Sequence, residues 1–231
     1  MADQLNKPIP PPRRSLLRTV VLGCVLGGSL ACWGEIGRML LARNSHTVLP
    51  GRVYRTAQLS PEELKAYAQE KNIRTVVNLR GRPVSEWYPN EMRATQELGI
   101  SQEDITTSAN RLPAPVEMRR LVDVLDHAEY PIMLHCQQGA DRTGLAATVV
   151  LLLYSDADYS TARRQCSPRF GHFPLLSTVA MDRFFAQYEQ ALEAEGQQHS
   201  RERFRQWLLH EYQPGKAAAR LELVAPPQET A

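Results

Sequence analysis

The run Pro131–Tyr154, PIML-HCQQGADRTG-LAATVVLLLY, constrains this chain more than any other segment. A short apolar stretch ends at His135. A polar, glycine-bearing loop follows, then an apolar run long enough for about three turns of helix. Strand, tight loop and helix in this order present backbone N–H groups and a positive helix end to one point, the geometry of an anion site. Cys136 opens the loop and Arg142 closes it.

The residue types in the loop point to phosphoryl transfer. A thiol is a weak nucleophile until it ionises, and a helix N-terminus or a nearby cation favours the thiolate. Both aids are expected at Cys136. Gln137, Gln138, Gly139, Ala140, Asp141 and Arg142 are the candidate phosphate-binding residues, through an inward-facing nest of amides. The planar guanidinium of Arg142 suits two phosphate oxygens at once. Thr143 is positioned to hydrogen-bond the sulfur as it leaves a phosphocysteine, and His135 to orient the cysteine. The expected reaction is covalent and has two steps: Cys136 takes the phosphoryl group, then water removes it. It requires no metal and no cofactor.

A leaving oxygen needs a proton. Asp141 lies inside the loop beside the arginine and is the first candidate acid, with a helix N-cap as its competing structural role. Asp104 is the second candidate and otherwise reads as an exposed polar residue; Glu117 is the third. The stretch SANRLPAP after Asp104 contains no carboxylate.

At these residues the chain resembles the protein tyrosine phosphatase superfamily, in its compact, dual-specificity-like bacterial branch. The resemblance rests on the HC-x5-R-S/T signature, here HCQQGADRTG, and runs from VYRTAQLS through the helix after the loop. It implies a hydrolase of phosphorylated proteins, with smaller phosphoesters such as phosphoinositides as the alternative. A phosphate-binding pseudoenzyme and a membrane-tethered interaction module are the readings of another class. The DRTG ending resembles relatives in which the aspartate within the loop acts as the acid, which supports Asp141.

The rest of the chain sets the frame. Ser60-Pro61-Glu62-Glu63 starts a helix to about Lys71, and IRTVVNLRG reads as a buried strand. Helices are expected at Pro89–Leu98, Pro115–Ala128, Thr143–Tyr154, Tyr159–Cys166, Leu176–Glu195 and Arg201–Tyr212. Strands are expected at Gly51–Arg55, Ile100–Thr107 and Ile132–His135. This alternation implies an α/β fold with a central, mainly parallel sheet flanked by helices. Arg80 reads as a loop arginine or as a visitor to the active site, and Arg169–His172 as a loop that lines the pocket or closes the domain.

The catalytic domain is expected at 46–213, with a flexible tail at 214–231. Residues 1–18 form a proline- and arginine-rich tail expected to be disordered. Residues 19–42 read as a single-pass membrane anchor, as a cleaved export signal, or as a helix of a cytosolic protein. The basic residues before this run place the catalytic domain outside the cytoplasm in the first two readings. A net charge of +2 gives no push toward nucleic acid. The four cysteines have neither metal-site nor disulfide-framework spacing, and a reversible pairing of Cys166 with Cys136 would protect an exported thiol.

Overall fold

The computed structural model describes residues 17–29, 37, 43–173 and 178–214. Two compact units divide the chain, Met1–Leu41 and Ala42–Ala231. In the first, helix α1 (residues 17–29) exposes Leu17, Val20, Val21, Leu22, Val25 and Leu26. Among the described residues no helix is long and apolar enough to cross a membrane. Most of the expected tail at 1–18, much of the apolar segment at 19–42, and 215–231 lie outside the described residues.

The second unit is built on a five-stranded sheet of order β1-β2-β5-β3-β4. Its strands are β1 (His46–Leu49), β2 (Val53–Thr56), β3 (Thr75–Asn78), β4 (Ser101–Asp104) and β5 (Ile132–His135). β2, β5, β3 and β4 run parallel, while β1 pairs antiparallel with β2. The sheet is therefore mixed. The antiparallel edge is β1, a strand not expected from the sequence; Gly51, at φ 69°, lies in the tight turn between it and β2.

Strand alternation divides the core in two. Val53, Val77, Ile132 and Leu134 face the larger cluster, packed by helices α4 (Pro115–His127), α5 (Asp141–Tyr154), α6 (Tyr159–Arg163), α7 (Val179–Glu195) and α8 (Arg201–Gln206). Val76 and Met133 face a smaller cluster under α2 (Pro61–Lys71) and α3 (Trp87–Glu97). With both faces covered, the inner strands β3 and β5 are buried at every position, the polar ends Thr75, Asn78 and His135 included.

The helix signals hold in detail at α2. Ser60 accepts from the Glu63 amide, Glu63 reaches back to the Ser60 amide, and Asn72 closes the helix in the left-handed region. α5 is covered on all sides: every residue from Thr143 to Leu153 is buried. It starts at Asp141, two residues before the expected boundary. Strand β4 stops at Asp104, three residues short of the expected end, and α8 gives way to a π-helical turn at Trp207–Glu211.

Candidate active site

Cys136 follows β5 directly, and α5 begins five residues later, so the loop joins a buried strand end to the N-terminus of the central helix. Cys136 is almost wholly buried, Gln137 and Gln138 are exposed, and Gly139 and Ala140 are buried. The carbonyls of Gln137, Gln138, Gly139 and Ala140 are held from behind. Gln58 N–H donates to the Gln137 carbonyl at 3.2 Å. Asn44 Nδ2 donates to the carbonyls of Gln138 (3.1 Å), Gly139 (3.0 Å) and Phe170 (2.9 Å). Arg55 Nη2 donates to Gly139 O at 2.7 Å and Ala140 O at 3.3 Å. No backbone N–H from Gln137 to Arg142 is spent on a carbonyl among the described residues. With its acceptors turned outward, the loop keeps its donors for a bound anion.

Arg55 anchors this arrangement. It is fully buried in β2, lies over the Phe170 ring at 4.2 Å, and gives its other terminal nitrogen to the backbone and side-chain oxygens of Gln165, both at 2.8 Å. Burial brings its guanidinium down to about 10, with the Cys166 and Cys136 sulfurs opposing the shift, so it remains charged at neutral pH. Gly139 permits the close fit. It sits at φ +67°, and a Cβ there would lie 2.7 Å from Thr56 C and O and from Ala57 N. Gly144 is equally confined, against Gln165 O at 2.8 Å and Cys166 Sγ at 3.0 Å.

Arg142 is half-buried and makes no ion pair or hydrogen bond among the described residues. Thr143 Oγ1 and both ring nitrogens of His135 are buried without a hydrogen-bond partner among the described residues. His135 Nε2 does lie 3.3 Å from the Glu91 carboxylate, itself buried on α3. Arg80 leaves the end of β3 beside the loop. Burial lowers its guanidinium below the usual arginine range, repulsion from Arg142 adds to this, and Cys136 and Glu91 act the other way.

The candidate acids separate clearly. Asp141 is the first residue of α5 and not its cap; Ala140 holds the cap position without a side-chain bond. Asp141 Oδ1 instead meets His172 Nδ1 at 2.7 Å, and His172 Nε2 meets Asp182 Oδ2 at 2.9 Å. Arg163 closes the chain on Asp182 at 2.9 Å. Burial works against a charged imidazole, but Asp141 and Asp182 together outweigh it and raise His172 above the ordinary histidine range.

Asp104 is not the exposed residue expected. Its side chain is 6% exposed and bound by Asn78 Nδ2 (2.8 Å), Tyr88 Oη (2.6 Å) and Arg82 Nε (3.0 Å). It ends a strand two ladders from β5, a separation of about 10 Å at the usual strand spacing. Glu117 is committed to the start of α4, where it binds the Ala114 amide at 2.7 Å and pairs with Arg111. Cys166 packs between Gly144 and Thr148, and burial pushes its thiol up to about 11. Cys24, Cys136 and Cys166 are all free thiols. Among the described residues no cluster of His, Cys, Asp and Glu is suited to a metal ion.

The pattern of the tyrosine phosphatase family matches residues 35–161, more than half of the sequence. The chain belongs to the tyrosine phosphatase family. It is a cysteine-dependent phosphatase. Solved structures agree on the fold. The crystal structure of P. aeruginosa TpbA is 19% identical, with a TM-score of 0.51 over 63% of this chain and 85% of its own. Tk-PTP in its active form is 14% identical, with a TM-score of 0.50 over 64% of this chain and 97% of its own. No curated sequence matches.

Sequence reasoning located the loop and named the Arg169–His172 segment as one that could line the pocket, but missed the supports Asn44, Arg55, Gln58 and Asp182. One signal was available: a charged residue, Arg55, within a strand that must be buried requires acceptors, and a loop full of carbonyls is where they are found.

Proposed function

We propose that this phosphatase hydrolyses phosphate monoesters through a phosphocysteine, with phosphotyrosine, phosphoserine and phosphothreonine side chains of proteins as the substrate class. The observation that carries the reading is the loop whose carbonyls from Gln137 to Ala140 are bound from behind, while its amides are not spent on the protein's own carbonyls. In the first step Cys136 attacks phosphorus, and the P–O bond to the leaving group breaks. Amides of Gln137–Arg142 and the Arg142 guanidinium balance the charge on the transferring group. Asp141 gives its proton to the leaving oxygen. In the second step it takes one from the attacking water, and the P–S bond breaks with Thr143 beside the departing sulfur. His172 orients the carboxylate through Oδ1 and leaves Oδ2 for the substrate. A small phosphorylated molecule is the second reading, favoured by Arg80 next to the loop.

The test is vanadate-sensitive hydrolysis of phenyl phosphate and of phosphotyrosine peptides by the full chain, in the presence of a chelator. Cys136→Ser is expected to remove turnover while keeping phosphate binding. A folded wild-type chain that turns over no phosphoester removes the reading.

A further inference from the structure

The turn after β3 carries a second cation toward the phosphate loop. In the parallel register Asn78 lies opposite His135, and Leu79 N–H donates to His135 O at 2.9 Å. Arg80 therefore emerges level with Gln137, one strand spacing of about 4.8 Å to the side. Its backbone is fixed by Asn78 Oδ1, which accepts from the Arg80 amide at 2.9 Å, and by a bridge to Thr106.

The side chain is held just as firmly. The guanidinium lies over the Trp87 ring, 4.0 Å from its centre, and its Nη1 donates to Gln58 Oε1. That amide cannot turn away, because Gln58 Nε2 donates to Glu91 Oε2 at 2.7 Å. Glu91 is buried, and its other oxygen meets Gln102 Nε2 at 3.2 Å and faces His135. Gln58 is also tied to the loop by its own N–H on Gln137 O. Arg80 makes no ion pair among the described residues, and Arg142 beside it makes none either. Two guanidiniums kept close without a carboxylate on either are stable together when a multiply charged anion joins them.

We propose that Arg80 forms a second anion subsite beside the loop, selecting small phosphoesters that carry another phosphate adjacent to the one transferred. The inference rests on the phosphatase reading and favours its second substrate class, the small phosphorylated molecule. Adjacency follows from the strand spacing: the second phosphate must lie within a few ångströms of the first, closer than the acidic side chain of a neighbouring residue in a phosphopeptide.

The experiment is calorimetric titration of the full chain carrying Cys136→Ser with inorganic phosphate, pyrophosphate, and a phosphotyrosine peptide with an adjacent glutamate. Pyrophosphate is expected to bind about tenfold or more tightly than phosphate. Adding Arg80→Gln is expected to bring that ratio close to one, and Arg80→Lys to give an intermediate ratio, since it keeps the charge without the planar fork. Should the glutamine variant not fold, the lysine variant carries the test through the same ratio. Equal losses for phosphate and pyrophosphate would place Arg80 on the transferred group and overturn the proposal. So would an unchanged ratio, or a gain confined to the acidic peptide. Because binding is read without turnover, these results remain distinct from a failure of wild-type hydrolysis.

Discussion

The loop after β5 and the turn after β3 leave the sheet from neighbouring strands, yet they are held by opposite means. In the first, the main chain is the binding surface, and side chains from elsewhere (Asn44, Arg55) grip its carbonyls from behind. In the second, side chains are the surface, linked to one another through Gln58, Glu91, Asp104 and Tyr88. A binding surface made of amides cannot be altered one residue at a time except by moving the backbone. One made of side chains can be retuned position by position. On the proposals made above, the common reaction belongs to the loop after β5, and the choice of substrate to the turn after β3.

The sharpest way to break this division is through the two aspartates, one on each side. Asp141→Asn is expected to slow alkyl phosphates by about 100-fold or more, and aryl phosphates with good leaving groups much less. Asp104→Asn, on the turn side, is expected to show no such dependence on the leaving group. Steady-state rates over a leaving-group series decide this; the pattern appearing in Asp104→Asn alone would move the acid across the site.

Gly139→Ala probes the backbone side directly. The new Cβ meets the main chain at Thr56 and Ala57, so the loop must shift, and a fall of about 100-fold in kcat/KM is expected. Arg55→Met removes the grip without touching the cavity. It leaves the Gly139 carbonyl with Asn44 alone and frees the oxygens of Gln165. Denaturant unfolding should show a loss of about 2–3 kcal/mol, together with weaker phosphate binding. Unchanged phosphate affinity in this variant would mean that the amides orient themselves without Arg55.

The smallest expected effect is a change in slope with pH. His172 binds its proton more tightly folded than unfolded. Its contribution to stability is therefore complete below the unfolded histidine value of about 6.5 and is lost as pH rises through the higher folded value. Unfolding free energies measured from about pH 5.5 to 9 should decline more in the wild type than in His172→Gln. Parallel curves would remove His172 from the charge balance around Asp141.

Much of this was legible in the sequence because the signals are local. The Ser60–Glu63 capping box, the apolar run of α5 and the cysteine-to-arginine spacing each need only their own neighbours. The edge strand β1 was not legible: HTVL is short, and only pairing with β2 across the Gly51 turn makes it a strand. The burial of Asp104 was hidden for the same reason, since Asn78 reaches it from the adjacent strand and Tyr88 from a helix. His172 lies far along the chain from Asp141, and no spacing rule joins them. What escaped was the second layer of contacts, fixed by tertiary placement and not by periodicity.

The outward turn of the loop carbonyls has a consequence for what can enter the site. A loop that turns its amides inward and its carbonyls outward filters visitors by sign. Tetrahedral oxyanions such as sulfate, vanadate and tungstate offer acceptors in every direction and should compete with phosphate. An ammonium group, however well shaped, meets donors with a donor. Inhibitors for this protein are best sought among compact oxyanion mimics.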